Sequence, residues 1–226
     1  YDPPQKYVIC SGFNLIGAPV VGEWADNYAP HDDPPKPSLW HGDLGVQQAR
    51  KSRRAYYASI TFIDEQIGRI LAALKKSGMD DNTMIIFFAD HGDMLGDHHL
   101  WRKTYAYEGS AKIPMLLRWP KSMGMDNQRG KKLGQTTELR DILPTFLDAA
   151  GAPIPNHLDG KSLLELVRGN TKDWRPFIDL EHSMCYNKDH WNALTDGKVK
   201  YIYYAFDGRE ELFDLTNDPG ELHNLS

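Results

Sequence analysis

The segment from Thr83 to Lys103, which reads TMIIFFADHGDMLGDHHLWRK, constrains the fold more than any other part of the chain. It opens with an unbroken β-favouring run, Thr83 to Phe88, which is typical of a strand covered on both faces in a parallel sheet. Asp90, His91 and Gly92 follow closely. Because parallel sheets bind ligands beyond the carboxyl ends of their strands, an acid and an imidazole at this position predict a metal or anion site.

A long amphipathic helix is predicted before this strand. Between Val46 and Lys76, apolar residues recur at spacings of three and four, which defines one apolar face of a helix. Gly78 supplies a stop signal directly after the helix. The apolar face consists of Tyr56, Ile60, Ile63, Ile67, Ile70 and Leu74. A helix followed by a buried strand is half of a β-α-β unit, so the pattern favours an α/β fold with a mainly parallel sheet.

Further elements are predicted on either side of this unit. Tyr7–Phe13 and Ile113–Trp119 have the character of buried strands. A helix is expected from Ile142 to Ala150, with the carboxylate of Asp141 accepting free amides of its first turn. A short helix is expected from Ser162 to Val167.

The C-terminal part of the chain has the period of strands. The turns Asp196-Gly197 and Asp207-Gly208 are strong hairpin signals. The strands predicted beyond about residue 175 are Phe177–Leu180, Trp191–Thr195, Val199–Ala205 and Glu211–Leu215. This end is therefore expected to form a small antiparallel sheet beside the main domain.

Composition excludes several classes of protein. The chain has 226 residues and a formal charge of -5, and its lysines and arginines are scattered, so nucleic acid is not an expected partner. No apolar run approaches the length of a membrane span, about 20 residues. Two cysteines, Cys10 and Cys185, cannot form a disulfide framework. The chain begins without an initiator methionine or a signal segment, so we expect a piece of a longer polypeptide.

Asp90 and His91 allow two interpretations. In the first, the aspartate caps the following turn and the histidine is hydrogen-bonded locally. In the second, the pair binds a cation, because an unpaired carboxylate in a cleft is unfavourable unless its charge is neutralised. Carboxylate oxygen favours a hard ion such as calcium or magnesium, and an imidazole shifts the preference towards manganese or zinc. The position after a buried strand favours the second interpretation.

Three later residues are candidates for contacts with a substrate or ion. Adjacent histidines in a loop, here His98 and His99, more often face the surface or a substrate than ligate a metal. A lone lysine is usually solvated, but Lys103 returns towards the predicted metal cleft. There its ammonium group is suited to bind an anionic substrate oxygen.

The residues of this region resemble a known family. The run ADHGDMLGDHHLWRKTYAYEGSAKIP resembles the sulfatases of the alkaline phosphatase superfamily, in which an Asp-His or Asp-Asn pair, a glycine, a downstream lysine and a Tyr-Glu segment recur. DILPTFLDAAG and DGKSLLEL are similar to later helices of that family, and the closing segment LFDLTNDPGELHNLS is similar to its C-terminal end. The likeness covers most of the chain from about Tyr56 onward.

The resemblance implies a fold and an activity. The fold would be a three-layer α/β sandwich with a mainly parallel sheet over residues 1–172, followed by a small antiparallel β subdomain over residues 173–226. The activity would be hydrolysis of a small-molecule or saccharide sulfate ester. Asp90 and His91 would hold a divalent cation, most often Ca²⁺ with Mn²⁺ or Mg²⁺ as alternatives, together with two aspartates from nearer the N-terminus. Lys103 would bind the sulfate as a catalytic residue.

The resemblance also bears on a histidine and a nucleophile. His182 would contact the substrate, since FIDLEH is similar to a segment that borders the cleft in some sulfatases, and a surface Glu-His pair is the alternative. His99, one of the adjacent histidines of the loop, is the further candidate for a substrate contact. The nucleophile of the family is a formylglycine made from the Cys or Ser of a C/S-x-P-x-R motif, and this motif is absent here. The formylglycine is therefore expected upstream of Tyr1, in a missing N-terminal segment, and the fragment alone is expected to be inactive.

One further departure leaves alternatives open. The family carries a histidine in an F-x-x-P-H-x-P loop, and Gly17 stands in its place within the matching loop, residues 13–19. A glycine cannot donate a proton. The alternatives are a phosphodiesterase or phosphonate monoester hydrolase on the same scaffold, and a non-catalytic sulfatase-like remnant. For the compartment, the resemblance favours the periplasm or the extracellular space, with the cytoplasm as the alternative.

Overall fold

The computed structural model describes residues 44–182 and 190–226. The chain divides into two compact units. Among the described residues, the first unit contains residues 44–78 and Gly92–Lys103, and the second contains Met79–His91, residues 104–182 and residues 190–226. Several features of the sequence lie outside the described residues, namely the predicted strand Tyr7–Phe13, Cys10, Gly17 and Cys185.

The first unit is built on one long helix, α1, which spans Gly45–Lys76 and confirms the helix predicted from the periodicity. Its C-terminal end is closed by the amide of Ser77, which donates to the carbonyl of Ala73 at 2.9 Å. Gly78 then adopts a left-handed φ of +74°, as expected of a residue that ends a helix. The predicted apolar face is largely exposed in this chain, with Ile70 67% accessible.

The second unit begins with a two-stranded sheet. Strand β1 spans Ile85–Phe88 and strand β2 spans Met115–Arg118, and between them lies a single helical turn, α2, at Glu108–Ala111. The strands pair in antiparallel fashion, with Phe88 opposite Met115. Phe88 is 41% exposed. Strand β2 lies beside β1 in the same sheet and covers neither of its faces, so within the described residues β1 is not the doubly buried strand that its apolar run predicts.

The predicted parallel sheet is not found in the described residues, where every strand pair is antiparallel. An unbroken apolar run indicates that a strand can be covered on both faces. It does not determine which strands lie beside it, because that depends on the rest of the chain. Residues 44–182 and 190–226 therefore do not confirm this part of the fold prediction.

Helices α3, Ile142–Ala149, and α4, Leu163–Arg168, follow as predicted. A small core forms around α4, where Leu164 and Val167 pack with Trp119. The predicted role of Asp141 was wrong: its fully buried carboxylate does not accept amides of the first turn of α3. Instead it accepts hydrogen bonds from the amide of Lys161 at 2.8 Å and from both terminal nitrogens of the Arg175 guanidinium.

The C-terminal sheet confirms the antiparallel prediction. Its strands, in spatial and sequence order, are β3 (Ile178–His182), β4 (Trp191–Thr195), β5 (Val199–Tyr204) and β6 (Glu210–Asp214). The predicted turns contain Gly197 and Gly208 with φ of +83° and +73°, a conformation that glycine adopts without steric conflict. Burial alternates along β4, so one face of the sheet packs inward. Across the described ranges, none of the helices has the length and apolar character needed to cross a membrane.

Candidate metal and substrate site

Asp90 and His91 follow the end of β1 and form a close pair. The Oδ1 atom of Asp90 accepts a hydrogen bond from the backbone amide of His91 at 3.1 Å. The Oδ2 atom of Asp90 lies 3.7 Å from Nε2 of His91. The side chains are 81% and 37% exposed, respectively, so both are accessible from solvent. An acidic oxygen and an imidazole nitrogen are thus presented side by side.

This geometry fits a shared cation. Atoms that coordinate one calcium ion lie about 2.4 Å from it, so two ligands of the same ion are separated by less than about 5 Å. The 3.7 Å separation of the Asp90 and His91 atoms satisfies this limit. Within residues 44–182 and 190–226 there is no group of three or more His, Cys, Asp or Glu side chains suited to hold a metal. The pair could therefore supply only part of a coordination shell, because calcium takes six to eight ligands.

The loop from Gly92 to Lys103 belongs to the other unit and is organised by Asp93. The Oδ1 atom of Asp93 accepts hydrogen bonds from the amides of Leu95, at 2.9 Å, and Arg102, at 3.1 Å. The amide of Met94 also donates to the carbonyl of Arg102 at 2.7 Å. The two ends of the loop are thereby held together.

Arg53 of α1 fixes the outer part of the same loop. Its Nε donates to the carbonyl of Leu95 at 2.7 Å, and its Nη2 lies 2.9 Å from Oδ1 of Asp97. This contact has no signal in the sequence, because Arg53 is 42 residues from Leu95 and lies in a run of charged helix residues.

The predicted substrate residue His99 lies at the strained part of this loop. His98 and His99 both have a φ of +56°, and Arg102 has a φ of +71°. Such conformations are uncommon for residues with a side chain and persist only where the surrounding structure enforces them. Lys103 is half-buried at the end of the loop. His99 and Lys103 thus share one constrained loop, whereas Asp90 and His91 belong to the second unit.

His182, the remaining predicted substrate residue, is the last residue of β3. Its ring stacks on that of Trp191, with centroids 5.8 Å apart and planes 13° apart. The Nε1 atom of Trp191 donates to the carbonyl of Thr104 at 2.9 Å. Thr104 directly follows Lys103 in the chain. His182 is therefore connected, through one stacking contact and one hydrogen bond, to the residue after the candidate sulfate-binding lysine.

The second unit also contains a buried charged cluster that was not predicted. Lys200 is completely buried, and its Nζ lies 2.8 Å from Glu108 and 2.9 Å from Glu221. In the sequence, this cluster is indicated only by a lysine at an inward-facing position of a strand of β-favouring residues, VKYIYY. Such a lysine requires an acidic partner, since an unpaired buried charge is strongly unfavourable.

Comparisons with known proteins place this chain in a family. The sulfatase family model matches residues 23–152, and the model for the C-terminal region of N-sulphoglucosamine sulphohydrolase matches residues 96–226. An arylsulfatase of Clostridium perfringens is 37% identical over 224 residues, which cover 99% of this chain and 46% of that protein. A choline-sulfatase of Rhizobium meliloti is 38% identical over 187 residues, covering 81% of this chain and 35% of that protein. The chain thus spans less than half the length of these relatives.

Solved structures agree with this assignment. The phosphonate monoester hydrolase of Agrobacterium radiobacter superposes with a TM-score of 0.71 and 30% identity, over 93% of this chain and 43% of that one. A protein designated BT4656, solved in complex with its substrate D-glucosamine-2-N,6-O-disulfate, superposes with a TM-score of 0.67 and 29% identity, over 81% of this chain and 39% of that one. Each of the two family models matches more than half of the residues, and together with the curated relatives they confirm the resemblance found in the motifs. This chain belongs to the sulfatase family.

Proposed function

We propose that the protein containing this chain hydrolyses sulfate esters and uses a divalent cation held in part by Asp90 and His91. The observation that carries the proposal is the exposed pair after β1, with its oxygen and nitrogen 3.7 Å apart. Relatives of the chain are named arylsulfatase, choline-sulfatase and N-acetylglucosamine-6-O-sulfatase, which supports a sulfate ester as the substrate.

The residues of this chain would have separate roles in the reaction. Asp90 and His91 would fix the cation, which when bound would withdraw charge from the sulfuryl oxygens. Ca²⁺ is the favoured ion because of the carboxylate ligand, with Mn²⁺ and Mg²⁺ as alternatives. The ammonium group of Lys103 would bind an anionic sulfuryl oxygen and stabilise the charge that develops there. His99 and His182 would contact the rest of the ester.

The nucleophile is proposed to come from a segment before this chain. A formylglycine would be made there from a Cys or Ser, as the family resemblance implies. On this view the 226 residues by themselves lack a reacting group, and we expect them to hydrolyse no sulfate ester. The substrate is proposed to be a small-molecule or saccharide sulfate, in keeping with the sugar disulfate bound to BT4656.

The whole protein is proposed to contain the three-layer, mainly parallel sheet that the described residues do not form alone. The support is the apolar surface that the sheet of β1 and β2 leaves uncovered, where Leu116 is 62% exposed along with Phe87 and Phe88. Burying such side chains is favourable by about 1.5–3 kcal/mol each. Residues 1–172 are proposed to belong to the catalytic α/β domain, and residues 173–226 are proposed to form the small antiparallel subdomain.

A second candidate function has its own support. The phosphonate monoester hydrolase superposes over 93% of this chain, and a multifunctional alkaline phosphatase superfamily protein of Trinickia caryophylli is 34% identical over 210 residues. A cation and a lysine suit a phosphoryl group as well as a sulfuryl group, since both present anionic oxygens. The candidates differ in the ester that is turned over fastest.

The deciding experiment compares esters of one alcohol with the full-length protein. Release of 4-nitrophenol from 4-nitrophenyl sulfate, bis(4-nitrophenyl) phosphate and 4-nitrophenyl phenylphosphonate is measured under the same conditions. We expect the largest kcat/KM for the sulfate, and a loss of at least about 100-fold on Lys103→Ala. A dominant phosphodiester or phosphonate activity would establish the second candidate. No turnover of any ester would favour the non-catalytic remnant, for which Gly17 is the sequence support.

A further inference from the structure

The short segment after Lys103, residues 104–108, is held almost residue by residue by the C-terminal part of the chain. The carbonyl of Thr104 accepts from Nε1 of Trp191 at 2.9 Å, and the hydroxyl of Tyr107 donates to Oε2 of Glu211 at 3.0 Å. The phenol ring of Tyr107 also lies edge-on to Phe213, with centroids 6.0 Å apart. All of these contacts lie within the second unit.

Lys200 provides the central contact of this arrangement. Its ammonium group donates to the carbonyl of Ala106 at 2.8 Å, and lies 2.8 Å from Oε1 of Glu108 and 2.9 Å from Oε1 of Glu221. These three acceptors match the three N–H groups of a lysine. The other carboxylate oxygen of Glu221 accepts from the amide of Glu108 at 2.6 Å. Lys200 and Glu221 thus hold both the backbone and a side chain of the segment.

Lys200 acts on the pKa of both acids. Burial would raise the pKa of Glu108, but Lys200 and Lys112 outweigh burial and hold it below its usual value. Burial raises the pKa of Glu221, and the attraction of Lys200 offsets this only in part. Removing Lys200 would therefore leave the buried carboxyl group of Glu221 and the partly buried one of Glu108 without their common partner. Buried ion pairs of this kind contribute little net stability, and their best-attested use is to fix one arrangement.

The backbone next to Lys103 needs such support. Thr104 has a φ of +90°, which is unfavourable for a β-branched residue and persists only where neighbouring contacts determine it. The hydrogen bond from Trp191 acts on the carbonyl of this residue, and the bond from Lys200 acts two residues further on. The strained residue, Thr104, and the second supported carbonyl, that of Ala106, both lie between Lys103 and α2.

We propose that Lys200 is a positioning residue: by binding the carbonyl of Ala106 and the carboxylates of Glu108 and Glu221, it fixes the backbone from which Lys103 reaches an anionic substrate. The role of Lys103 in this statement rests on the proposed function. The holding of residues 104–108 rests on the contacts alone. The C-terminal antiparallel sheet therefore acts as the template for residues 104–108.

The test uses three variants of the full-length protein. Lys200→Met removes the ammonium group and retains much of the volume, and Lys200→Arg is the conservative variant that restores a buried cation. Lys198→Met is the matched control, because Lys198 is exposed on the hairpin that leads into the same strand. Two properties are measured: amide hydrogen exchange of residues 104–108, and the affinity for inorganic sulfate by calorimetry.

For Lys200→Met we expect at least about tenfold faster exchange at residues 104–108 and at least about tenfold weaker sulfate binding, with exchange in β4 unchanged. Lys198→Met should match the wild type, and Lys200→Arg should recover part of both properties. Unchanged exchange or unchanged sulfate affinity in Lys200→Met overturns the proposal. Hydrolysis of sulfate esters is assayed separately, and its absence in the wild type would contradict the proposed function without affecting the exchange result.

A second variant covers the case in which Lys200→Met does not fold. Trp191→Phe keeps an aromatic ring and removes the N–H that donates to Thr104, together with part of the indole ring. We expect faster exchange at residues 104–108 and weaker sulfate binding here too, with smaller changes than for Lys200→Met. Wild-type behaviour of Trp191→Phe in both measurements overturns the claim that contacts from the C-terminal sheet hold residues 104–108, on which the role of Lys200 depends.

Discussion

At the scale of single residues, Gly160 lies so close to the backbone at Arg140 that only a glycine fits without displacing it. A Cβ atom at this position would lie 1.8 Å from the carbonyl oxygen of Arg140 and 2.3 Å from its carbonyl carbon. The next residue, Lys161, donates its amide to the buried Asp141. The contact therefore fixes the loop that leads into α4.

We predict that Gly160→Ala lowers the free energy of unfolding by about 1–3 kcal/mol or more, because backbone atoms must move apart. Urea-induced unfolding of the chain measures this change. Gly134→Ala is the control, since a Cβ there meets no atom within 4 Å and the backbone is not left-handed. Equal unfolding midpoints for the two variants would contradict the prediction.

A contact between two residues could be predicted from the sequence only where the partners are close along the chain. Asp90 and His91 are adjacent, so their association was readable directly. Arg53 and Lys200 could not be assigned, because their partners lie 42 and 94 residues away at Leu95 and Ala106. Only the fold brings such groups together.

At the scale of elements, one ion pair joins α3 to α4. Arg168 binds Asp148 through two bonds, at 2.7 and 2.9 Å, and the hydroxyl of Ser162 donates to the same carboxylate at 2.5 Å. The hydrogen bond from Arg168, helped by that from Ser162, holds the pKa of Asp148 below its usual value, although burial opposes this. The pair therefore favours the ionised acid in the folded chain.

We predict that Asp148→Asn lowers the free energy of unfolding by about 1–3 kcal/mol at pH 7. A group with a lowered pKa stabilises the fold fully above its unfolded pKa, 3.8, and loses this effect as the pH falls through the folded pKa. The difference between wild type and variant should thus shrink below about pH 4. Urea unfolding from pH 2.5 to 7 measures it, with Asp126→Asn, a more exposed acid paired with Arg129, as the control. A difference that is constant with pH would be inconsistent with this account.

Two glycines at different places in and after α1 should respond in opposite ways. Gly68 lies in the helix interior with open space around it, so we predict that Gly68→Ala stabilises the helix by up to about 1 kcal/mol. Gly78 is left-handed after the helix end, so Gly78→Ala should destabilise it. Thermal unfolding followed by circular dichroism at 222 nm measures both. A shift of the same sign for the two variants would show that helix propensity does not control this element.

Elements were predictable where the signal is local. The period of α1 and the glycines of the C-terminal hairpins determine those structures within a few residues. The elements that pack on the faces of β1 were not predictable from a local signal, since burial of Phe87 and Phe88 requires partners from elsewhere in the chain. Likewise Asp141 was assigned to the nearest helix, whereas its carboxylate binds the distant Arg175.

At the scale of the whole molecule, the sulfatase assignment rests on matches that cover the chain but less than half of its relatives. The pair Asp90–His91 is proposed to provide two ligands, and the described residues contain no complete metal group. We therefore predict that the 226-residue chain alone shows no sulfate release above background, whereas the full-length protein does. Turnover by the purified chain, absent from a Lys103→Ala preparation, would refute this division of the site.

The central claim is that Asp90 and His91 bind a divalent cation. It is tested most directly by the metal content of the full-length protein, measured by inductively coupled plasma mass spectrometry after dialysis against low calcium. We predict about one equivalent of the ion per chain in the wild type and loss of the ion in Asp90→Ala, because a carboxylate is the stronger of the two ligands for calcium. Asp81→Ala is the control and should keep the ion, since Asp81 is an exposed aspartate that pairs with Lys121. An unchanged metal content in Asp90→Ala would contradict the account.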